Sequence, residues 1–275
     1  MTDFTGFIGR AKRIEDIDLP RIGHEIGVGE DELHAFMDVE AAGSGFDKHG
    51  RPKILFEPHI FYRELNGAKL ERAISAGLAY QKWGAKPYPS DSYPRLTAAM
   101  EIDIDAAIRS ASWGLTQIMG GHHRTIGFEI PGEMVLAFMD DEDNHLEATI
   151  ELIVSMGIDD ELRALAALKR PTIASDCAVV ARVWNGAGYK KNNYDGKIAT
   201  SHNRWRGIRD TPWQPETGGT PRRNRLELMT PAELSIREAI LAVEKLSGDT
   251  RLTAAVVLLG QAQNKVSDFV DHIGG

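Results

Sequence analysis

The most regular signal along the chain is an apolar stripe at helical spacing. Leu33, Phe36, Met37 and then Glu40 fall at i, i+3, i+4 and i+7, which predicts an amphipathic helix over about 30–42. Similar periodicity predicts helices at 17–26, 95–111, 113–120, 131–156, 159–169 and 173–184. The best strand candidate is KILFE (53–57), which follows a Gly/Pro turn and ends at Pro58. One short β element among many helices predicts a mainly α fold, or α+β with a minor sheet.

The pattern changes at DTPWQPETGGTP (210–221), whose three prolines and two glycines mark a linker, taken as 210–229. Residues 1–209 then form the principal domain. Thr230-Pro-Ala-Glu233 carries a capping threonine, a first-turn proline and a glutamate three residues on, the marks of a helix start. Ile236, Ile240 and Val243 give one apolar face, and Leu252, Val256, Leu259, Val266, Val270 and Ile273 a second. Residues 230–275 therefore read as a two-helix hairpin. It is too small to bury a core of its own, so it is expected to pack on the first domain or mediate homo-oligomerisation.

Composition narrows the function classes. The chain has 275 residues, 42% hydrophobic and 26% charged, ordinary values for a globular protein with a real core. Its formal net charge of −8 argues against a nucleic-acid partner. The single cysteine, Cys177, excludes an internal disulfide and a cysteine zinc cage. The first residues lack the apolar core of a secretory signal, and no run approaches the roughly 20 apolar residues of a membrane span.

Three segments carry candidate chemistry. Glu40 ends an apolar stripe, where desolvation would raise its pKa and keep it protonated, as an acid that cleaves a glycosidic bond must be. Gly43, Gly45 and Gly50 behind it allow a sharp turn and room for a bulky ligand. In SASWGLTQIMGG (110–121), Gln117 lies among Trp113, Leu115, Ile118 and Met119, so its buried amide needs partners that a sugar could supply. WNGAGYKKNNYD (184–195) reads as an aromatic, amide-rich loop, with Trp184, Asn185, Tyr189 and Tyr194 suited to stacking on sugar rings. Each segment alone also fits a structural role.

Together and in order, VEAAGSGF, RPKILFEPHIFYREL, SASWGLTQIMG and WNGAGYKKNNYDGKI resemble the phage endolysin N-acetylmuramidase family. That family is akin to goose-type lysozymes and lytic transglycosylases, and the resemblance covers about residues 17–200. It implies a lysozyme-like, mainly helical fold that cleaves the β-1,4 bond after N-acetylmuramic acid in peptidoglycan. It implies Glu40 as the catalytic acid, with Ser112, Gln117, Trp184, Asn185 and Tyr189 binding substrate. One departure stands out: the family's aromatic before Asn-Gly is usually tyrosine, and here it is Trp184.

A second carboxylate, about 6.5–9.5 Å away in an inverting enzyme or about 5–5.5 Å in a retaining one, is less well marked. Glu57 is the first choice and Asp47 the second. A lytic transglycosylase needs neither, because the muramyl 6-hydroxyl attacks instead. A non-catalytic wall-binding or phage structural protein on the same fold is the alternative of a different class. No cofactor is implied. Gly-Gly-His-His (120–123) lacks a third metal ligand at proper spacing, and Asp-Asp-Glu-Asp (140–143) reads as a solvated helical turn. PRRNR (221–225) is read as a solvated basic run. A protein of this kind without a signal is expected in the host cytoplasm until lysis, then at the periplasm and cell wall.

Overall fold

The computed structural model describes residues 6–41 and 43–215. The hairpin, the helix start at Thr230, the basic run at 221–225 and most of the linker lie outside the described residues. The first helices form where the stripes predict them, α1 at Asp18–Glu25 and α2 at Glu30–Glu40. Three acidic residues open α2, where the helix dipole favours negative charge. Glu32 Oε2 there accepts the Gly29 N–H at 2.9 Å.

Strand β1 (Ile54–Phe56) pairs antiparallel with β2 (Ala111–Trp113), which pairs antiparallel with β3 (Ile118–Met119). Residues 113–120 are therefore a hairpin and not the expected helix. Gly114 and Gln117 take left-handed conformations at φ +72° and +55°, which close the turn and break a helix. Trp113 is fully buried, and its indole N–H donates to Ile108 O at 3.0 Å. Tertiary burial of that one ring outweighs the helical spacing.

Two other expected helices are each split. Residues 95–111 become α5 (Tyr93–Met100) and α6 (Ile104–Arg109), because Asp103 caps α6 through the Ala106 N–H. Residues 131–156 become α7 (Pro131–Asp140) and α8 (Glu142–Ser155), divided at Asp141, whose carboxylate accepts the Asp143 N–H. Two helices unmarked by the periodicity, α3 (Pro58–Glu64) and α4 (Gly67–Ser75), follow β1. Helix α9 (Asp159–Ala166) forms as expected, while 173–184 begins as a 3-10 turn before α10 (Ala178–Asn185). The last described helix, α11 (Tyr194–Trp205), begins inside the segment expected to be a loop. The whole is mainly α with a small sheet.

The core consists of two apolar clusters. One gathers Phe56, Phe61, Leu96, Trp113 and Phe138, the other Ile22, Leu33, Phe36, Leu146 and Val180. Helix α8 serves both, with Ala148 and Leu152 in the first and Ile150 and Ile153 in the second. Trp184 packs against both. Cys177 is fully buried and its thiol pKa is pushed up to about 12, chiefly by burial. The start of the expected linker is docked: Thr211 N–H donates to Glu30 Oε1 at 2.6 Å, and Trp213 lies 5.6 Å from the His24 ring.

The run Asp140–Asp143 is far from a solvated turn. Asp140 pairs with Arg10, and Asp143 with Arg21. Glu142 is almost fully buried and accepts from Arg13 at 2.9 Å, Ile14 N–H at 3.1 Å, Ser44 Oγ at 3.0 Å and Gly45 N–H at 2.6 Å. One turn on, His145 Nδ1 accepts the Leu115 N–H at 3.2 Å, which puts its proton on Nε2, where it donates to Phe138 O at 2.7 Å. Burial lowers the His145 pKa to about 4, so the ring is neutral. An added Cβ at Gly45 or Gly114 would stand 2.4 or 2.8 Å from His145 Nδ1, so both glycines are required for this approach. The first turn of α8 thus ties the loop after α2 to the β2–β3 turn.

Removing the Glu142 carboxylate leaves four donors without their acceptor. Glu142→Ala is expected to lower the unfolding free energy by about 3–5 kcal/mol, read by urea denaturation at pH 7.

Candidate active site

Glu40 is the last residue of α2 and is half-buried, on the same stripe as the buried Leu33, Phe36 and Met37. Its helix is fixed from behind by α11. His202 bridges Glu32 at 2.8 Å and Thr172 at 2.7 Å. Asp38 accepts from Ser201, Arg204 and, at 2.6 Å, the Trp205 indole. His34 stacks on Trp205 with ring centroids 3.6 Å apart. These contacts fix where α2 ends, and therefore where its terminal carboxylate lies.

Past Glu40 the chain turns away. Ala41 is extended, and Gly43 has φ +80° with no atom of the described residues within 4 Å of where its Cβ would stand. A side chain at position 43 would be strained by its backbone, while the space beside it is open. Two residues later the loop is sealed by Glu142 and His145. The glycines divide the work: Gly43 turns beside open space and Gly45 permits packing.

On the opposite side, Asn185 ends α10 and its Nδ2 donates to Glu40 Oε1 at 2.8 Å. Gly186, with φ +75°, terminates the helix and also faces open space. Trp184 meets Phe36 edge-on at 4.8 Å. Burial raises the Glu40 pKa above the ordinary carboxylate value, while the Asn185 hydrogen bond, the Lys197 charge and the Trp184 indole partly offset this. Glu40 also sits at the negative end of its helix, which disfavours an ionised carboxylate further. The outcome is an anchored carboxyl, partly protonated at higher pH than an ordinary glutamate, beside glycine turns that leave room for a ligand.

The other expected site residues are placed less uniformly. Gln117 is exposed rather than buried. Its Oε1 accepts from Ser112 Oγ at 2.8 Å, and its Nε2 donates to Gly114 O at 2.8 Å and Lys53 O at 3.1 Å. Ser112 and Gln117 thus hold the β2–β3 turn together. Tyr189 is buried in the second cluster and is no open stacking surface. Asp47 accepts from the His49 and Arg51 backbone and the Arg51 guanidinium. Burial opposes ionisation of Asp47, but those hydrogen bonds prevail and hold its pKa below the usual value. Glu57 stands at the N-cap position of α3, makes no side-chain cap bond there, and accepts the Tyr88 phenol. His59 Nδ1 lies 3.2 Å from it without hydrogen-bond geometry.

Sequence reasoning missed Glu142, His145 and Lys197. Lys197 lies on the first turns of α11, its ammonium 5.3 Å from the Tyr194 ring centre and its charge felt at Glu40. The one signal for Glu142 was Asp141, a capping residue that splits a periodic run. His123 Nδ1 meets Gly120 O at 3.0 Å. Among the described residues no three His, Cys, Asp or Glu side chains are grouped to hold a metal.

A half-buried helix-terminal glutamate held by an asparagine, in a mainly helical fold with a small antiparallel sheet, fits a lysozyme-like peptidoglycan hydrolase. Residues 30–206, from the start of α2 to just past α11, match the Muramidase (N-acetylmuramidase) family model, and the chain belongs to that family. Its structure is similar to the crystal structure of a Burkholderia AP3 phage endolysin, with 30% sequence identity and a TM-score of 0.62. The match covers 72% of this chain and 73% of that one. No curated protein matches the chain.

Proposed function

We propose that the protein is a phage endolysin muramidase that hydrolyses the β-1,4 bond between N-acetylmuramic acid and N-acetylglucosamine, with Glu40 as general acid. The observation that carries this is the Glu40 carboxyl itself: desolvated, held on Oε1 by Asn185, and flanked by the open turns at Gly43 and Gly186. A protonated Glu40 can still accept from Asn185 on Oε1, so that bond orients the carboxyl without taking its proton. The likeness to a phage endolysin supports lysis of a host wall from within. No described helix is long and apolar enough to cross a membrane.

The trapped state of the other carboxylates favours one second reading. Asp47 and Glu57 both spend acceptor positions on protein donors. With both candidate second carboxylates engaged by the protein, the transglycosylase route, in which the muramyl 6-hydroxyl attacks and a 1,6-anhydro sugar results, needs only Glu40. In either route Glu40 gives the proton, and Trp184 and Asn185 border the sugar-binding space. A wall-binding protein without activity would bind sacculi and release nothing.

Two outcomes test this reading. Glu40→Gln is expected to lower release of soluble muropeptides from purified sacculi by about 10²- to 10⁴-fold while sacculus binding persists. Mass spectrometry of the wild-type digest shows reducing ends for hydrolysis and 1,6-anhydromuramyl ends for transglycosylation. The Asn185 hydrogen bond favours the ionised carboxylate, so its loss lets the Glu40 pKa climb further. Asn185→Ala therefore moves the alkaline limb of the kcat–pH profile to higher pH, since activity is lost only as Glu40 deprotonates.

A further inference from the structure

The segment between α4 and α5, residues 76–92, contains neither helix nor strand, yet it is held at several points. Leu78 and Ala79 are buried, and Tyr80 N–H reaches Pro58 O at 3.4 Å. The Tyr88 phenol donates to Glu57. Between these anchors Lys82 to Ala85 form a tight turn, closed by Ala85 N–H to Lys82 O at 3.3 Å, with Gly84 at φ +68°. Trp83 is at the tip of that turn and is 67% exposed, the most exposed large apolar side chain among the described residues.

The indole N–H is tied to the Tyr88 phenol, so the ring is held in place while most of its face stays in water, a ready stacking surface on an anchored turn. The local charge says what it meets. Lys82 and Lys86 are exposed on either side, Lys86 Nζ lying 5.9 Å from the Tyr80 ring centre, in a chain whose net charge is −8. An aromatic face beside two cations suits a saccharide that bears carboxylates.

We propose that the Trp83 turn is a second glycan-binding subsite, remote from Glu40. The indole stacks on a pyranose face, and Lys82 and Lys86 pair with carboxylates of the muramyl peptide stems. Glu57 acts here as the anchor that keeps the turn in place through Tyr88. This rests on peptidoglycan being the substrate. Such a subsite suits a long polymer, which reaches both places at once, and not a short fragment.

The test is co-sedimentation of the full chain with purified sacculi, in the Glu40→Gln background. Trp83→Ala is expected to weaken binding about tenfold, and Trp83→Phe to restore most of it. Lys82→Ser with Lys86→Ser should weaken binding too, and by less as salt rises. Unchanged affinity in Trp83→Ala overturns the proposal. So does a loss confined to anionic lipid vesicles, which assigns the turn to a membrane surface. Binding is read separately from fragment release, so persistent cleavage by Glu40→Gln contradicts the catalytic reading and leaves this one standing.

Discussion

The 2.8 Å hydrogen bond from Asn185 to Glu40 ties together the C-terminal ends of two helices that also meet through Phe36 and Trp184. Helix α2 is fixed along its length by α11, through His202, Ser201, Arg204 and Trp205. Helix α10 ends at Asn185, and Trp184 beside it is wedged against both apolar clusters. The carboxyl is therefore located from two directions before any ligand arrives. In the proposed reaction, preorganisation of this kind removes the cost of arranging the acid when the bond breaks.

Two opposed effects act on Glu40. Burial pushes its pKa up, while Asn185 and Lys197 pull it down. A fully desolvated glutamate would hold its proton too tightly, and a fully paired one would not hold it at all. The protein spends some stability on this compromise, because an ionised carboxylate half out of water opposes folding. Compensation comes nearby from Glu142, whose own buried charge meets four donors, and from the neutral His145 beneath Gly45 and Gly114. A strict steric fit at those two glycines keeps the loop after Glu40 and the β2–β3 turn in one arrangement.

Local periodicity made the outline legible. The stripe Leu33–Phe36–Met37–Glu40 located α2 and the desolvated acid, and the ordered motifs led to the family to which the chain belongs. The sheet was mostly hidden, because SASWGLTQIMG has helical spacing and only the pairing of β1 with β2, 55 to 59 positions apart in sequence, makes it a hairpin. The same non-local effect hid Glu142: nothing within Asp-Asp-Glu-Asp tells a solvated turn from a cap followed by a buried anchor. Gln117 and Tyr189 were visible as unusual residues, but what they touch depends on the tertiary fold. Gln117 closes a turn, and Tyr189 fills the core.

The central claim is that the fold keeps Glu40 protonated at a pH where ordinary glutamates have ionised. Titration of ¹³C-labelled glutamate carboxyls by NMR measures this directly, with Glu40→Gln assigning the resonance. A Glu40 midpoint clearly above the glutamate reference of about 4.3 is the predicted result. A midpoint at or below that value contradicts the claim, because the burial seen at the end of α2 would then fail to hold the proton that the proposed cleavage needs.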